Sequence, residues 1–268
     1  MKGGSVMDHK PVWVGTSWKM NKGPAEAITA ARSLELYNAP PDIQPFVIPP
    51  FTSLKDVCTI LHNSDLLVGA QNMHWDDSGA WTGEISPSMI RECGAALVEI
   101  GHSERREHFG ETDWTVNRKV RAAVRHGLRP LVCVGDTSDE YEFGVSLETL
   151  ARQTKIALHG LSAEELPHVL IAYEPVWAIG TKGRAADKDC VAGVHAHLRR
   201  ALEGIAGEEI AACIPLLYGG SVTLDNAYGY VTLPNVDGVF VGRAAWEVTG
   251  FKAIIDSISI VVEREVAA

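Results

Sequence analysis

The amino-acid sequence predicts a single closed (β/α)8 barrel, and three observations support this prediction. Eight short apolar runs rich in Val, Ile and Leu recur along the chain, and the first and last begin 224 residues apart. The mean repeat is therefore about 32 residues, the size of one βα unit. Longer amphipathic stretches separate the runs, and no linker or break in composition divides them, which is typical of one α/β barrel.

The apolar runs are continuous rather than alternating, which is typical of parallel strands buried on both faces. In chain order the predicted strands are VWVGTSW (12–18), FVIP (46–49), LLVGAQ (66–71), LVEIG (97–101), PLVCVG (130–135), VLIAYE (169–174), PLLYGG (215–220) and VDGVFVG (236–242). The predicted helices span 24–37, 53–62, 86–94, 112–127, 139–159, 188–205, 223–230 and 250–263. A doubly wound open sheet is the alternative, and it is disfavoured because no G-x-G-x-x-G follows the first strand.

Length and composition agree with one globular unit. A chain of 268 residues buries about three quarters of the surface that it exposes when unfolded. We predict a disordered N-terminal extension over residues 1–10 and one barrel domain over residues 11–268. The start of the chain contains no apolar signal-peptide core, and no run approaches 18 apolar residues.

The charge and the cysteines restrict the partners and the compartment. A net charge of −10 disfavours binding to nucleic acid, which needs a basic face, and attraction to anionic membranes. We therefore expect neither nucleic acid nor membrane as a partner. The five cysteines are odd in number, widely spaced and never in C-x-x-C, a pattern that favours reduced thiols in a cytoplasmic protein.

The active site of such a barrel lies at the carboxyl ends of its strands. Lys19 follows the first strand, His102 follows the fourth and Glu174 ends the sixth. The seventh and eighth strands lead into the turns Y218-G-G-S-V222 and V241-G-R-A-A245. Gly-containing turns before helices present backbone N–H groups to phosphate. A carboxylate beside an imidazole and an ammonium group suits proton abstraction next to a carbonyl.

Six motifs in this chain resemble those of the triosephosphate isomerase family. They are W18-K-M-N21, G69-A-Q-N72, T82-G-E-I-S86, I100-G-H-S-E-R-R106, A172-Y-E-P-V-W-A-I-G-T181 and Y218-G-G-S-V222. They stand in family order and cover residues 12–262. The resemblance implies a sugar-phosphate isomerase that moves a proton through an enediol(ate) without a cofactor. We expect no metal, because the chain has no H-E-x-x-H, C-x-x-C or P-loop.

The resemblance also implies residue roles. Glu174 would be the general base, and His102 would polarise the carbonyl as a neutral imidazole, since the following helix N-terminus disfavours the imidazolium. Lys19 would hold the phosphate and stabilise the enediolate. A lid over about 175–184 would exclude water. The implied substrate-binding residues are Ser17, Gly180, Ser221, Gly242 and Arg243, and the supporting residues are Glu104 and Tyr218.

The segment 71–86 is polar and aromatic, and in isolation it would be a surface loop. By resemblance it docks into a neighbouring subunit near Lys19. Without a partner, the apolar side chains of Met73, Trp75 and Trp81 would be exposed to solvent, which favours a homodimer.

Three departures from the family pattern concern the periphery of the site. Ser17 stands where the family has Asn, Arg243 stands where it has Gly, and the lid contains I-G-T-K-G-R-A in place of I-G-T-G-K. If the Arg243 backbone needed a positive φ, it would cost about 1–2 kcal/mol. The chain resembles the erythrulose-phosphate isomerase branch, in which T-S-W-K-M-N-K, Q-N-M-H-W and V-G-R-A-A-W occur together. We therefore expect conversion of L-erythrulose 1-phosphate to D-erythrulose 4-phosphate.

Three alternatives stay open. The first is isomerisation of dihydroxyacetone phosphate to glyceraldehyde 3-phosphate, the activity from which the family takes its name. The second is a catalytically silent barrel used for binding, which would be expected to have lost Lys19, His102 or Glu174. The third is a Schiff-base aldolase using Lys19, which is disfavoured because a carboxylate base makes the imine unnecessary.

Overall fold

A closed barrel of eight parallel strands forms the centre of the protein, which confirms the predicted fold class. The computed structural model describes the backbone of residues 10–180 and 183–266 and the side chains of residues 10–180 and 183–259. The strands follow one another around the barrel in chain order, and β8 closes against β1. They are β1 Val12–Ser17, β2 Ile43–Ile48, β3 Leu67–Ala70, β4 Leu97–Ile100, β5 Arg129–Val134, β6 Leu170–Tyr173, β7 Leu216–Tyr218 and β8 Gly238–Val241.

Helices lie between consecutive strands. The described part of the chain contains α1 Pro24–Glu35, α2 Phe51–Leu61, α3 Pro87–Cys93, α4 Ser103–Phe109, α5 Asp113–Arg125, α6 Ser138–Glu142, α7 Ser146–Leu158, α8 Lys188–Ala206, α9 Glu208–Ala212, α10 Leu224–Val231 and α11 Val248–Val266. Short 3-10 turns span Leu166–His168, Val176–Ala178 and Arg243–Ala245. None of the helices in these ranges combines the length and the apolar character that crossing a membrane requires.

Two hydrophobic cores result from the alternation of side chains along each strand. One fills the barrel, and it contains Trp13, Phe46, Ile48, Leu97, Leu131, Cys133, Leu170, Ala172, Leu217 and Phe240. The other lies between the strands and the helices, where Val14 and Val98 belong. The Phe46 ring needs Gly15 beside it, because a Cβ at Gly15 would lie 1.9 Å from that ring. Because side chains alternate along a strand, residues two apart face the same core.

The prediction of one helix over 139–159 is wrong, because two helices occupy this stretch. A capping box between Thr137 and Glu140 starts α6, and Gly144 takes a φ of 70° that ends it. A left-handed residue cannot continue a right-handed helix, so α7 begins afresh at Ser146. The sequence prediction also omitted α4 and α9, which have seven and five residues.

Two predictions concern residues that the structure does not describe. The N-terminal extension predicted over 1–10 lies outside the described residues except for Lys10. Residues 181–182 of the predicted lid lie outside them as well.

Candidate active site

The ends of three strands bring Lys19, His102 and Glu174 together. Lys19 Nζ lies 3.0 Å from His102 Nε2, and His102 Nε2 lies 3.5 Å from Glu174 Oε2. His102 and Glu174 are only 4% and 5% exposed. The three side chains therefore lie side by side, and the imidazole and the carboxylate among them are shielded from solvent.

Hydrogen bonding of the His102 ring fixes which nitrogen carries the proton. Nδ1 accepts a hydrogen bond of 3.1 Å from the backbone N–H of Glu104, in the first turn of α4. A neutral ring in this arrangement is protonated at Nε2. Because Lys19 Nζ is also a donor, its 3.0 Å separation from Nε2 is not a hydrogen bond. Two donors thus converge, and one substrate oxygen can accept from both.

The Lys19 backbone has a φ of 51°, in the left-handed region. For a residue with a Cβ this conformation costs about 1–2 kcal/mol. Gln71 holds it in place, since its Nε2 donates to the Lys19 carbonyl at 2.8 Å and to the Ile48 carbonyl at 3.3 Å. Asn21 Nδ2 donates to the Trp18 carbonyl at 2.8 Å. Side chains of the W-K-M-N and G-A-Q-N motifs therefore both hold the backbone around Lys19 by hydrogen bonds.

Three carboxylates keep Lys19 charged. Burial alone would lower the pKa of Lys19, but Glu174, Glu99 and Glu104 outweigh it and raise that pKa above its usual value. Glu104 Oε1 accepts a hydrogen bond of 2.9 Å from Lys19 Nζ. Glu104, predicted as a supporting residue, therefore contacts Lys19 directly.

Close backbone packing positions Glu174. A Cβ at Gly219 would lie 2.6 Å from Glu174 Cγ, and one at Gly135 would lie 2.1 Å from the Glu174 carbonyl oxygen. Glycine is therefore required at both places. Glu174 Oε2 is buried and has no hydrogen-bond partner in the described part of the chain. A carboxylate oxygen without a partner is available to accept a proton.

The turns after β6, β7 and β8 carry the predicted phosphate-binding residues. Gly180 is exposed with a φ of 81°, and Ser221 has a φ of 49°. The Ser221 hydroxyl donates to the Ala178 carbonyl, which ties the turn after β7 to the start of the predicted lid. Gly242 is partly exposed and precedes the 3-10 turn Arg243–Ala245.

Arg243 causes none of the backbone strain that a positive φ would impose. It starts a 3-10 turn, and the described non-glycine residues with positive φ do not include it. Its side chain is exposed and makes no hydrogen bond or ion pair with the described residues. The substitution is accommodated locally, and the guanidinium is free to meet a charged ligand.

Tyr218 does not lie among the substrate-facing residues. Its ring packs in the core between strands and helices, against Tyr230 at 4.4 Å between ring centroids. Its hydroxyl accepts a hydrogen bond of 3.3 Å from the Ala186 N–H. Tyr218 thus anchors the segment that follows the predicted lid, which is a supporting position and not a substrate contact.

Ser17 ends β1 beside the cluster and is almost completely buried. Its hydroxyl has no hydrogen-bond partner within the described residues. Its carbonyl accepts a hydrogen bond of 3.1 Å from Trp246 Nε1, which ties the end of β1 to the segment after β8.

The loop 71–86 differs from the prediction at one residue. Met73 is completely buried within its own chain, so it is not an exposed apolar side chain. Trp81 is 48% exposed, and its ring packs on His74 at 4.4 Å between centroids. The apolar side chain that the loop presents is therefore Trp81, with a partly buried Trp75 beside it.

Sequence reasoning missed two buried carboxylates near the site. Asp136 is completely buried and accepts hydrogen bonds from Tyr173, Trp177 and Ser146. Since Trp177 lies in the first turn of the predicted lid, Asp136 anchors that turn. Glu99 is buried on β4, and the signal for it was a lone carboxylate inside the otherwise apolar run LVEIG.

The comparisons with known proteins agree with this geometry. A family model described as Triosephosphate isomerase matches residues 12–258. A Mesorhizobium japonicum protein named L-erythrulose-1-phosphate isomerase is 51% identical, over 93% of this chain and 98% of its own. Proteins of the same name from Brucella abortus and Rhizobium meliloti are 50% and 48% identical, over 91% and 94% of this chain and 94% and 99% of theirs.

Proposed function

Because the chain belongs to the triosephosphate isomerase family, we propose that it is a sugar-phosphate isomerase that converts L-erythrulose 1-phosphate to D-erythrulose 4-phosphate. The observation that carries the chemistry is the placement of His102 Nε2 between Lys19 Nζ at 3.0 Å and Glu174 Oε2 at 3.5 Å. A base and two donors at these distances suit proton transfer between adjacent carbons.

Each group has one task in the proposed reaction. Glu174 removes the proton from C3, while His102 Nε2–H and Lys19 Nζ donate to the oxygen on C2 as it gains negative charge. The resulting enediol(ate) spans C2 and C3. Glu174 then returns a proton to C2. The hydroxyl proton on the C3 oxygen passes through the His102 imidazole to the C2 oxygen, which becomes a hydroxyl, and the carbonyl is left on C3. The protein's own groups balance every proton, so the reaction needs no cofactor.

The phosphate is bound, in this proposal, by the turns after β6, β7 and β8. Backbone N–H groups at Gly180, Ser221 and Gly242 would contact its oxygens, and the exposed Arg243 guanidinium would add a charged donor. This local positive potential is needed because the chain as a whole carries a net charge of −10.

The choice of a four-carbon substrate is supported by Ser17 and by the relatives. The three similar proteins, at 48–51% identity, are all named L-erythrulose-1-phosphate isomerase. Ser17 is smaller than the Asn of the family pattern, so the end of β1 leaves more room beside the reacting carbons. Interconversion of dihydroxyacetone phosphate and glyceraldehyde 3-phosphate is the second candidate, since the family takes its name from that reaction.

Steady-state kinetics with purified protein tests this proposal. We expect kcat/KM for L-erythrulose 1-phosphate to exceed that for glyceraldehyde 3-phosphate by at least about tenfold, since one buried group discriminates by 1–3 kcal/mol. The matched control is the Ser17→Asn variant, in which the ratio should move toward the triose. A wild-type preference for glyceraldehyde 3-phosphate would overturn the choice of substrate.

The assembly and the location are part of the same proposal. We propose a homodimer in which the loop 71–86 docks near Lys19 of the second copy, supported by the 48% exposure of Trp81. Gln71 belongs to this loop and holds the Lys19 carbonyl, so docking would stabilise the site. We propose a cytoplasmic location, supported by the five widely spaced cysteines.

A further inference from the structure

Glu99 is a carboxylate on the inner wall of the barrel, and its effect on the pKa of Lys19 is the only role described for it above. On β4, Leu97 belongs to the core inside the barrel, whereas Val98 and Ile100 belong to the outer core. The alternation of the strand therefore points Glu99 inward. It is 3% exposed, which is close to the exposure of His102 and Glu174.

The neighbours of Glu99 are the reacting groups and Ser17. Burial and the Glu174 charge raise the pKa of Glu99, while His102, Lys19 and the Ser17 hydroxyl oppose that shift. Although the hydroxyl lies near the carboxyl, Ser17 Oγ meets hydrogen-bond geometry with no described residue. The Ser17 hydroxyl is thus a buried polar group without a partner among the described residues, and the Glu99 carboxyl lies close to it.

Unpaired buried polar groups are costly. Each forfeits about 1–3 kcal/mol relative to a paired one, and they concentrate where a ligand completes them. A hydroxyl group of the ligand would pair with both Ser17 Oγ and the Glu99 carboxyl.

The topology indicates which end of a substrate reaches Glu99. In the closed barrel β4 lies opposite β8, four strands away in either direction. The proposed phosphate contacts follow β6, β7 and β8. The end of the substrate remote from the phosphate therefore points toward β4, where Glu99 lies close to Ser17. In L-erythrulose 1-phosphate that end is the C4 hydroxymethyl group.

We infer that Glu99 and Ser17 form a subsite for the terminal hydroxymethyl group of the four-carbon substrate, with Glu99 as the specificity residue. The inference rests on the proposed function. Dihydroxyacetone phosphate is one carbon shorter and lacks this group, so it gains nothing from the subsite. A glutamate, unlike an apolar residue, makes the pocket selective for a hydroxyl and not merely larger.

The direction in which the pKa of Glu99 is shifted fits this role. Burial, the largest influence on it, raises the pKa of the carboxyl and favours the neutral form. A neutral carboxyl both donates and accepts, which matches a hydroxyl group.

The variants Glu99→Leu and Glu99→Gln test the subsite. We measure kcat/KM for L-erythrulose 1-phosphate and the inhibition constant of dihydroxyacetone phosphate as a competing ligand. We expect Glu99→Leu to lower kcat/KM by about 10- to 100-fold, mainly through KM, and Glu99→Gln to lower it less. The inhibition constant should stay within about twofold. Glu208→Gln, an exposed carboxylate on α9, is the matched control.

Two results would overturn the subsite: an unchanged kcat/KM in Glu99→Leu, or an equal loss for both ligands, which indicates a general structural role. Wild-type turnover is measured first, because an inactive wild type contradicts the proposed substrate. If the wild type is active and Glu99→Leu has the same kcat/KM, only the subsite is contradicted.

If Glu99→Leu does not fold, Ser17→Asn tests the same pocket. Its larger side chain should raise KM for the tetrulose phosphate and leave dihydroxyacetone phosphate binding unchanged, and the reverse would contradict the inference.

Discussion

At the scale of single residues, the site depends on a lysine that neighbouring carboxylates keep charged and on a buried carboxylate oxygen that has no hydrogen-bond partner among the described residues. Lys19 is surrounded by carboxylates that raise its pKa, so it stays an ammonium group at neutral pH. Glu174 Oε2 is buried without a hydrogen-bond partner among the described residues. Such an oxygen has a lone pair that no hydrogen bond occupies, so it can accept a nearby C–H proton.

The base assignment predicts the effect of shortening Glu174. Glu174→Asp withdraws the carboxylate by one methylene, and a displacement of about 1 Å costs about 100-fold in kcat. Glu174→Gln removes the base and should cost about 10²–10⁴-fold. Steady-state kinetics gives both values, with circular dichroism confirming that the fold is retained. Unchanged turnover in either folded variant would refute Glu174 as the base.

At the scale of elements, the sequence predicted what repeats and missed what depends on one residue's conformation. Each of the eight apolar runs became a strand, because continuous burial leaves a clear pattern. The break between α6 and α7 follows from the left-handed Gly144, a single glycine that periodicity does not detect. Tyr218 was predicted as a supporting residue from its motif, but the motif did not show that its ring packs in the core between the strands and the helices. Alternation along LVEIG would likewise have pointed Glu99 inward.

The contact between α8 and the loop before β8 predicts a pH dependence of stability. His195 on α8 is completely buried, and its Nδ1–H donates to the Asn235 carbonyl at 2.9 Å. Burial lowers the pKa of His195 from 6.5 to about 4. Below pH 6.5 the unfolded chain binds a proton that the folded protein does not. The free energy of unfolding should therefore fall as the pH drops from 6.5 to about 4, by up to about 3 kcal/mol.

His195→Asn checks this pH dependence, since the Asn amide can replace Nδ1–H as donor but does not titrate. Urea unfolding at pH 7.5 and pH 5.0 should show a smaller difference in the variant than in the wild type. His62→Asn, at an exposed position, is the control. Equal pH dependence in wild type and His195→Asn would mean that other groups cause it.

At the scale of the whole molecule, the barrel places the polar side chains of the site at the carboxyl ends of its strands, above an apolar interior. The proposed dimer would extend that rim, because the loop carrying Trp81 also carries Gln71, which holds Lys19. The proposal that two copies assemble through this loop is supported by the exposed Trp81 side chain and by the family resemblance.

The dimer predicts that Trp81→Asp separates the subunits. Sedimentation velocity should show a dimer for the wild type and a monomer for the variant, since a charge replaces an apolar contact. The kcat/KM should fall by about tenfold or more, because Lys19 loses part of its support. Phe143→Asp, a substitution at another exposed aromatic side chain, is the control and should leave the dimer intact. A monomeric wild type, or a dimer that survives Trp81→Asp, would contradict this interface.

The central claim is that Glu174 moves a proton between C2 and C3 of a four-carbon ketose phosphate. Proton NMR of the reaction in D2O tests it most directly, with wild-type protein, L-erythrulose 1-phosphate and no added cofactor. A carboxylic acid exchanges its proton with solvent, so we predict D-erythrulose 4-phosphate that carries deuterium on the carbon that was C2 of the substrate. Product that contains only protium there, as a hydride shift would give, or no product at all, would contradict the account.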